Sequence, residues 1–412
     1  MKLLAIREQT ISLTAPMHNA SVSYDAMTAS ALAIVSDCTF GGQPVIGYAF
    51  DSIGRYGKGG LLRDRFIPRL MMADSNRLLD AGGLIDPEAC VAALMQNEKE
   101  GGHGERPGAV GLIDAALWDL RAKLERKPLW RVLAERSGRA PAAGRTVFSL
   151  YGSCGHFRPG RGAAELEGLA AEVAAARSAG FDTIKIKLGG ARVEDDVARA
   201  STAISAAAGG RVAVDVNGKL DPLIEVRWLE AMGALGVAWV EEPASPLDYQ
   251  RLARIAKVSP VPVATGENLF SWDDARNLLR YGGLRPDRDL IQIDISLSYG
   301  IGEYRRILDL FESAGWNRRS MLPHAGHLFA AHAVAGLGLG MHESASDLSL
   351  AFGGLWDGTE ITDGCAKASE APGVGFEVKS RLMEWLRPLG ESQLPINDTD
   401  LNAGSAGSRS KP

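Results

Sequence analysis

From about Arg145 the chain alternates between two hydrophobic periods, one of 3.6 residues and one of 2. Helical stripes run near 163–179, 193–208, 222–235, 247–257, 272–280 and 301–314. Short β-branched runs lie between them near 146–151, 182–188, 211–216, 237–241, 261–265, 290–295 and 319–323. Gly180, Gly209, Gly236 and Gly315 end several of the helices, as expected before a strand. Alternation this long predicts a parallel sheet closed into an α/β barrel.

The first third has a different rhythm. Residues 2–14, 30–38 and 44–51 read as three strands of a meander, turned at Gly41-Gly42-Gln43-Pro44, and helical patterns follow at 61–72, 86–96, 109–123 and on to 136. The expected organisation is an α+β capping domain over 1–140 and a barrel over 141–348. Residues 349–395 are expected to return to the capping domain, with a small, polar, disordered tail over 396–412.

Composition narrows the function classes. The chain has 412 residues and a net charge of −5, which argues against nucleic-acid or membrane-surface partners. The N-terminus lacks the apolar core of a signal peptide, and no stretch reaches the length of a membrane span, so a cytoplasmic location is expected. Cys38, Cys90, Cys154 and Cys365 are scattered, which suits buried, inert thiols rather than a disulfide framework.

The candidate chemistry stands on the barrel strands. In Thr183-Ile184-Lys185-Ile186-Lys187-Leu188 two lysines share one face, and Asp215, Glu241 and Glu267 follow at a constant interval of 26 residues, one β/α unit each. Three carboxylates at successive strand ends offer the oxygen donors that a hard cation such as Mg2+ takes. A cation beside two lysines suits removal of a proton α to a carboxylate. Lys187 is the expected base, its pKa depressed by Lys185 and the metal.

Asp215 and Asn217 share a side, as do Gln292 and Asp294, whereas Glu242 alternates outward and is expected in a structural ion pair. Asp294 and His324, on successive strands, can form an orienting pair. Alternation from Leu322 favours His324 over His327 as the acid; either histidine can instead cap the next helix. Glu343 is a candidate for a substrate contact or a salt bridge, and Arg55 and Lys58 for an anionic substrate or solvent.

Taken together, Lys185-x-Lys187, Asp215-x-Asn217, Glu241-Glu242-Pro243, Gly266-Glu267-Asn268 and the Asp294/His324 pair resemble the enolase superfamily, mandelate racemase subgroup. The resemblance implies a (β/α)7β modified TIM barrel with an N-terminal α+β cap completed by C-terminal residues. It also implies a Mg2+-dependent carbon–oxygen lyase, a homo-oligomer acting on a small acid sugar or diacid. Segments 54–60 and 97–106 resemble the D-tartrate dehydratases in particular, although Asp51, Ile53 and Leu328 depart from that pattern. By that resemblance Lys187 abstracts the proton, His324 protonates the departing hydroxyl, and Lys99 and Asn19 hold a distal carboxylate. Asn217, Arg55, His327 and Glu343 are the remaining expected substrate contacts. The resemblance implies dehydration of D-tartrate to oxaloacetate; racemisation or epimerisation of a 2-hydroxy acid between Lys187 and His324, or dehydration of a different aldonate or aldarate, are the alternatives.

Overall fold

The computed structural model describes residues 1–13, 15–52, 55–99, 104–138, 146–158, 164–345 and 353–391. Three antiparallel strands open the chain, β1 (Leu3–Ser12), β2 (Thr28–Phe40) and β3 (Gln43–Phe50), in the order β1-β2-β3. The helix Glu105–Leu124 packs on this sheet; it is apolar nearly all round because its other side meets the barrel. Gly111 makes that second contact possible: a Cβ there would lie 2.0 Å from the Ser296 carbonyl oxygen.

The barrel strands are β4 (Val147–Cys154), β5 (Thr183–Lys187), β6 (Arg211–Asp215), β7 (Val240–Glu241), β8 (Val263–Thr265), β9 (Leu290–Ile291) and β10 (Met341–Ala345), all parallel, in the order β10-β4-β5-β6-β7-β8-β9. Met321 closes the ring, bridging Ile291 on one side and accepting the Gly340 N–H at 2.9 Å on the other. The parallel sheet with helices outside it and an antiparallel cap is the expected modified TIM barrel.

Two expectations on element length are corrected. The run 319–323 forms a 3-10 turn (Arg318–Ser320) and a single bridge at Met321 instead of a strand. The runs 237–241 and 290–295 shrink to β7 and β9, of 2 residues each. Their chains turn early into the loops that carry Glu242 and Asp294, although the ladder reaches one residue further, with Glu242 N–H donating to the Ala264 carbonyl at 2.9 Å.

The expected return segment divides between both layers. β11 (Cys365–Lys367) adds antiparallel to β4, while the helix Ser380–Glu391 packs on the cap sheet. Asp119 ties cap and return together, accepting the N–H groups of Tyr48 at 2.8 Å and Val374 at 2.6 Å. The expected tail, 396–412, lies outside the described residues. Cys90 and Cys154 are buried and Cys38 and Cys365 only half-buried; all four are free. Among the described residues no helix is long and apolar enough to cross a membrane.

Candidate active site

Strand alternation builds the site in two storeys. Tyr151, Ala213, Trp239, Ala264 and Leu322 fill the barrel interior as a separate apolar plug. Two residues after Ala213, Trp239 and Leu322 stand Asp215, Glu241 and His324, which therefore project from the same inner face one level higher. The register sets Lys187, Asp215 and Glu241 side by side on β5, β6 and β7.

Glu267 follows β8 after Gly266, whose φ of +133° and 3.0 Å clearance between a built Cβ and the Ile293 side chain leave room only for glycine. Oxygens of Asp215, Glu241 and Glu267 lie within 4.8 Å of one another, and all three side chains are buried. A compact, buried set of three carboxylates fits a hard divalent cation and has no comparable use in packing. The neighbouring Asn217 donates from Nδ2 to Asp215 Oδ2 at 3.2 Å, and its Oδ1 is buried without a partner among the described residues.

Lys185 is fully buried and spans two acids, Glu241 at 2.6 Å and Glu343 at 2.9 Å. Burial disfavours its ammonium form, but those carboxylates hold the pKa well above the ordinary lysine value. Glu343 is thereby committed to Lys185 and to the Ala325 N–H at 3.2 Å, the salt bridge rather than the free contact of the two readings. Burial works against ionised Glu343, yet Lys185 and then His324 hold it below the usual carboxylate range.

Lys187 departs from expectation. Burial does disfavour its charge, but Asp215 in direct contact outweighs both burial and Lys185, so the pKa is raised rather than depressed.

His324 and Asp294 meet as expected, Nδ1 to Oδ2 at 3.1 Å. The other ring nitrogen faces Glu267 Oε2 at 3.3 Å, and although burial lowers the imidazole pKa, Glu267 and Asp294 raise it overall. Asp294 is itself held by the Leu297 N–H at 2.9 Å and by the Ser52 hydroxyl at 2.5 Å. Ser52 comes from the cap, just beyond β3. No sequence pattern marked it, because its role depends on how the two domains meet.

His327 takes the capping reading, with both ring nitrogens engaged within the protein. Its Nε2 donates to the Phe50 carbonyl at 2.7 Å, its Nδ1 accepts the Phe329 N–H at 3.1 Å, and the ring stacks on Phe50. It caps the helix Leu328–Leu337. Glu242 is also corrected: it is buried, has φ +44°, and accepts from Asn268 Nδ2 at 2.8 Å, with no ion pair among the described residues. Lys58 is buried against Asp51 at 2.9 Å, away from solvent and substrate alike.

A cavity of about 450 Å³ opens above the carboxylates, lined among others by Lys187, Glu267, His324, Asn217, Asn19 and Arg55. Asn19 Oδ1 accepts the Ser21 and Val22 N–H groups and so shapes the cap loop. Arg55 reaches Asn268 Oδ1 at 2.5 Å and Glu267 at 3.5 Å. Tyr24, buried on the same wall, escaped notice in the sequence. Lys99 is exposed and does not line the cavity.

Residues 168–382 match the family described as enolase C-terminal domain-like. The chain belongs to the enolase superfamily. Among its relatives is a 3,6-anhydro-alpha-L-galactonate cycloisomerase of Streptomyces coelicolor, 30% identical over 68% of this chain and 73% of that one. An L-talarate/galactarate dehydratase of Salmonella typhimurium is 28% identical over 71% and 68% respectively. Two solved structures share this superfamily fold. A superfamily member from Polaromonas sp. JS666 superposes with a TM-score of 0.74 at 21% identity, covering 96% of this chain and 99% of that one. A Streptomyces coelicolor racemase with bound magnesium gives 0.71 at 23% identity, covering 92% and 99%.

Proposed function

We propose that the protein is a magnesium-dependent hydro-lyase that dehydrates an acid sugar, an aldonate or aldarate, to a 2-keto acid. The observation that carries this reading is that Lys187, His324 and Glu267, one of three clustered carboxylates, line one cavity of about 450 Å³, room for a small polyhydroxy acid. The relatedness to dehydratases of that substrate class supports it.

Asp215, Glu241 and Glu267 would hold the magnesium, which supplies positive charge against the negative charge that builds on the substrate when its α-proton leaves. Lys187 takes that proton; to do so it must first give up its contact with Asp215 and its own extra proton. His324, aligned by Asp294 and Ser52, gives a proton to the β-hydroxyl as its C–O bond breaks. One C–H and one C–O bond are lost, water leaves, and the enol product tautomerises to the 2-keto acid. Lys185 stays charged between Glu241 and Glu343, keeping those acids ionised and fixed.

D-tartrate is the finer proposal, resting on the resemblance of segments 54–60 and 97–106; none of the relatives named above carries that activity in its name. The test is a panel of aldonates, aldarates and tartrates incubated with magnesium in deuterated solvent. We expect 2-keto acid from wild type, loss of both product and α-proton exchange in Lys187→Ala, and loss of product with exchange retained in His324→Asn. Exchange from one enantiomer only in each variant, with no 2-keto acid from wild type, would make the enzyme a racemase and overturn the dehydratase reading.

A further inference from the structure

We propose that Lys219 reads the far, anionic end of the substrate and so makes the site selective for diacids over monoacids. The proposal deepens the dehydratase reading and rests on it.

A diacid needs a cation at each end of the cavity. Lys187 and Glu267 line it beside the carboxylate cluster. Of the other cations on the described lining, Arg55 is engaged with Asn268 and Glu267. Lys219 is different: it lines the cavity from the loop after β6, and its ammonium has no ion-pair or hydrogen-bond partner among the described residues. Lys99, expected from the sequence to hold the distal carboxylate, is exposed and away from this wall.

The backbone beneath Lys219 is fixed even though its side chain reaches solvent. Asn217 (φ +45°) and Gly218 (φ +74°) are consecutive left-handed residues that turn the chain sharply at the strand end. The turn is pinned three times: Gly218 N–H to the Glu242 carbonyl at 2.8 Å, Lys219 N–H to the Val216 carbonyl at 2.9 Å, and the Ser21 hydroxyl to the Asn217 carbonyl at 2.8 Å. That last bond comes from the cap loop, so cap and barrel together hold the lysine at the cavity wall.

Two further polar groups line the same cavity. Asn217 stands beside it, its own Oδ1 buried and without a partner among the described residues. Glu242 is the other; its Oε1 accepts from Asn268 Nδ2 at 2.8 Å, and Asn268 Oδ1 in turn accepts from Arg55. A lysine on a flexible stem, unlike a rigid guanidinium fork, tolerates carboxylates at somewhat different reach.

The experiment compares a six-carbon aldarate with the aldonate of the same stereochemistry, using wild type, Lys219→Met and Lys219→Arg with saturating magnesium. We expect Lys219→Met to lower the ratio of kcat/KM for the diacid to that for the monoacid about two- to fivefold, chiefly through KM, and Lys219→Arg to keep most of it. Calorimetric binding of both acids to the Lys187→Ala background, with and without Lys219→Met, gives a readout independent of turnover. An unchanged ratio and unchanged relative affinity overturn the proposal while leaving a dehydratase in place. Lys219-dependent binding of the diacid by a wild-type enzyme that dehydrates neither acid sinks the dehydratase reading and leaves the lysine's role standing.

Discussion

Lys187 is in contact with the group it must leave before it can act, and the expected depression of its pKa is reversed by that one carboxylate. The acid on the other side is better prepared: His324, Asp294 and Ser52 form a chain of hydrogen bonds that fixes the ring before substrate arrives. Removing its last member tests how much that preparation matters. Ser52→Ala should lower kcat about 5- to 10-fold, the effect of one hydrogen bond of roughly 1 kcal/mol, without changing magnesium affinity. An unaltered kcat would reduce Ser52 to a packing residue. The metal triad, both lysines and the Asp294/His324 pair were legible in the sequence because strand period and a 26-residue repeat place them. Glu242 was misread, and His327 left between two readings, because positive φ values at Glu242 and Ala325 break the alternation there.

At the level of elements, the strands end sooner than their hydrophobic runs suggest, because the barrel rim is built of loops that use backbone hydrogen bonds to aim side chains. Gly266 is the clearest case, bent at φ +133° against Ile293 so that Glu267 points inward. Gly266→Ala would strain this bend by about 1–3 kcal/mol. We expect the loss to fall on the metal site: magnesium affinity measured by calorimetry should drop about tenfold or more, while the thermal midpoint of chelated protein shifts only a few degrees. Unchanged magnesium affinity would show that Glu267 does not depend on this turn. The helices outside the barrel were read nearly to their ends, since they bury one stripe against the sheet. The closing strand was not, because Met321 has only a bridge to Ile291 on one side and a hydrogen bond from the Gly340 N–H on the other.

For the whole molecule, buried histidines set an acid limit on stability. His332 accepts the Trp130 N–H on Nδ1 at 3.1 Å and donates to the Val374 carbonyl through Nε2 at 2.9 Å, joining the barrel, a cap helix and the return segment. A second proton would face the Trp130 N–H, and burial lowers the pKa to about 4, below the ordinary 6.5. Between those values the unfolded chain binds the proton and the folded one does not. Stability is therefore intact above pH 6.5 and falls as pH drops toward 4, by about 3 kcal/mol for this residue. Urea unfolding of chelated protein at pH 7 and pH 4 should show His332→Gln losing about that much less than wild type across the interval. Equal losses in the two proteins would assign the acid limit to other groups.

The hydroxyl of Ser52 has a consequence for how such an enzyme can be rebuilt. Substrate preference in a capped barrel invites exchange of the cap, as though recognition and reaction were separable modules. Here the cap's own chain reaches down to the carboxylate that steers the proton donor, at 2.5 Å. A transplanted cap that supplied a new specificity loop but no hydroxyl after its third strand would bring in the new substrate and leave the leaving group badly served. Grafts should therefore be judged by whether bound substrate exchanges its proton faster than it loses water, since a mismatched cap would idle at that point.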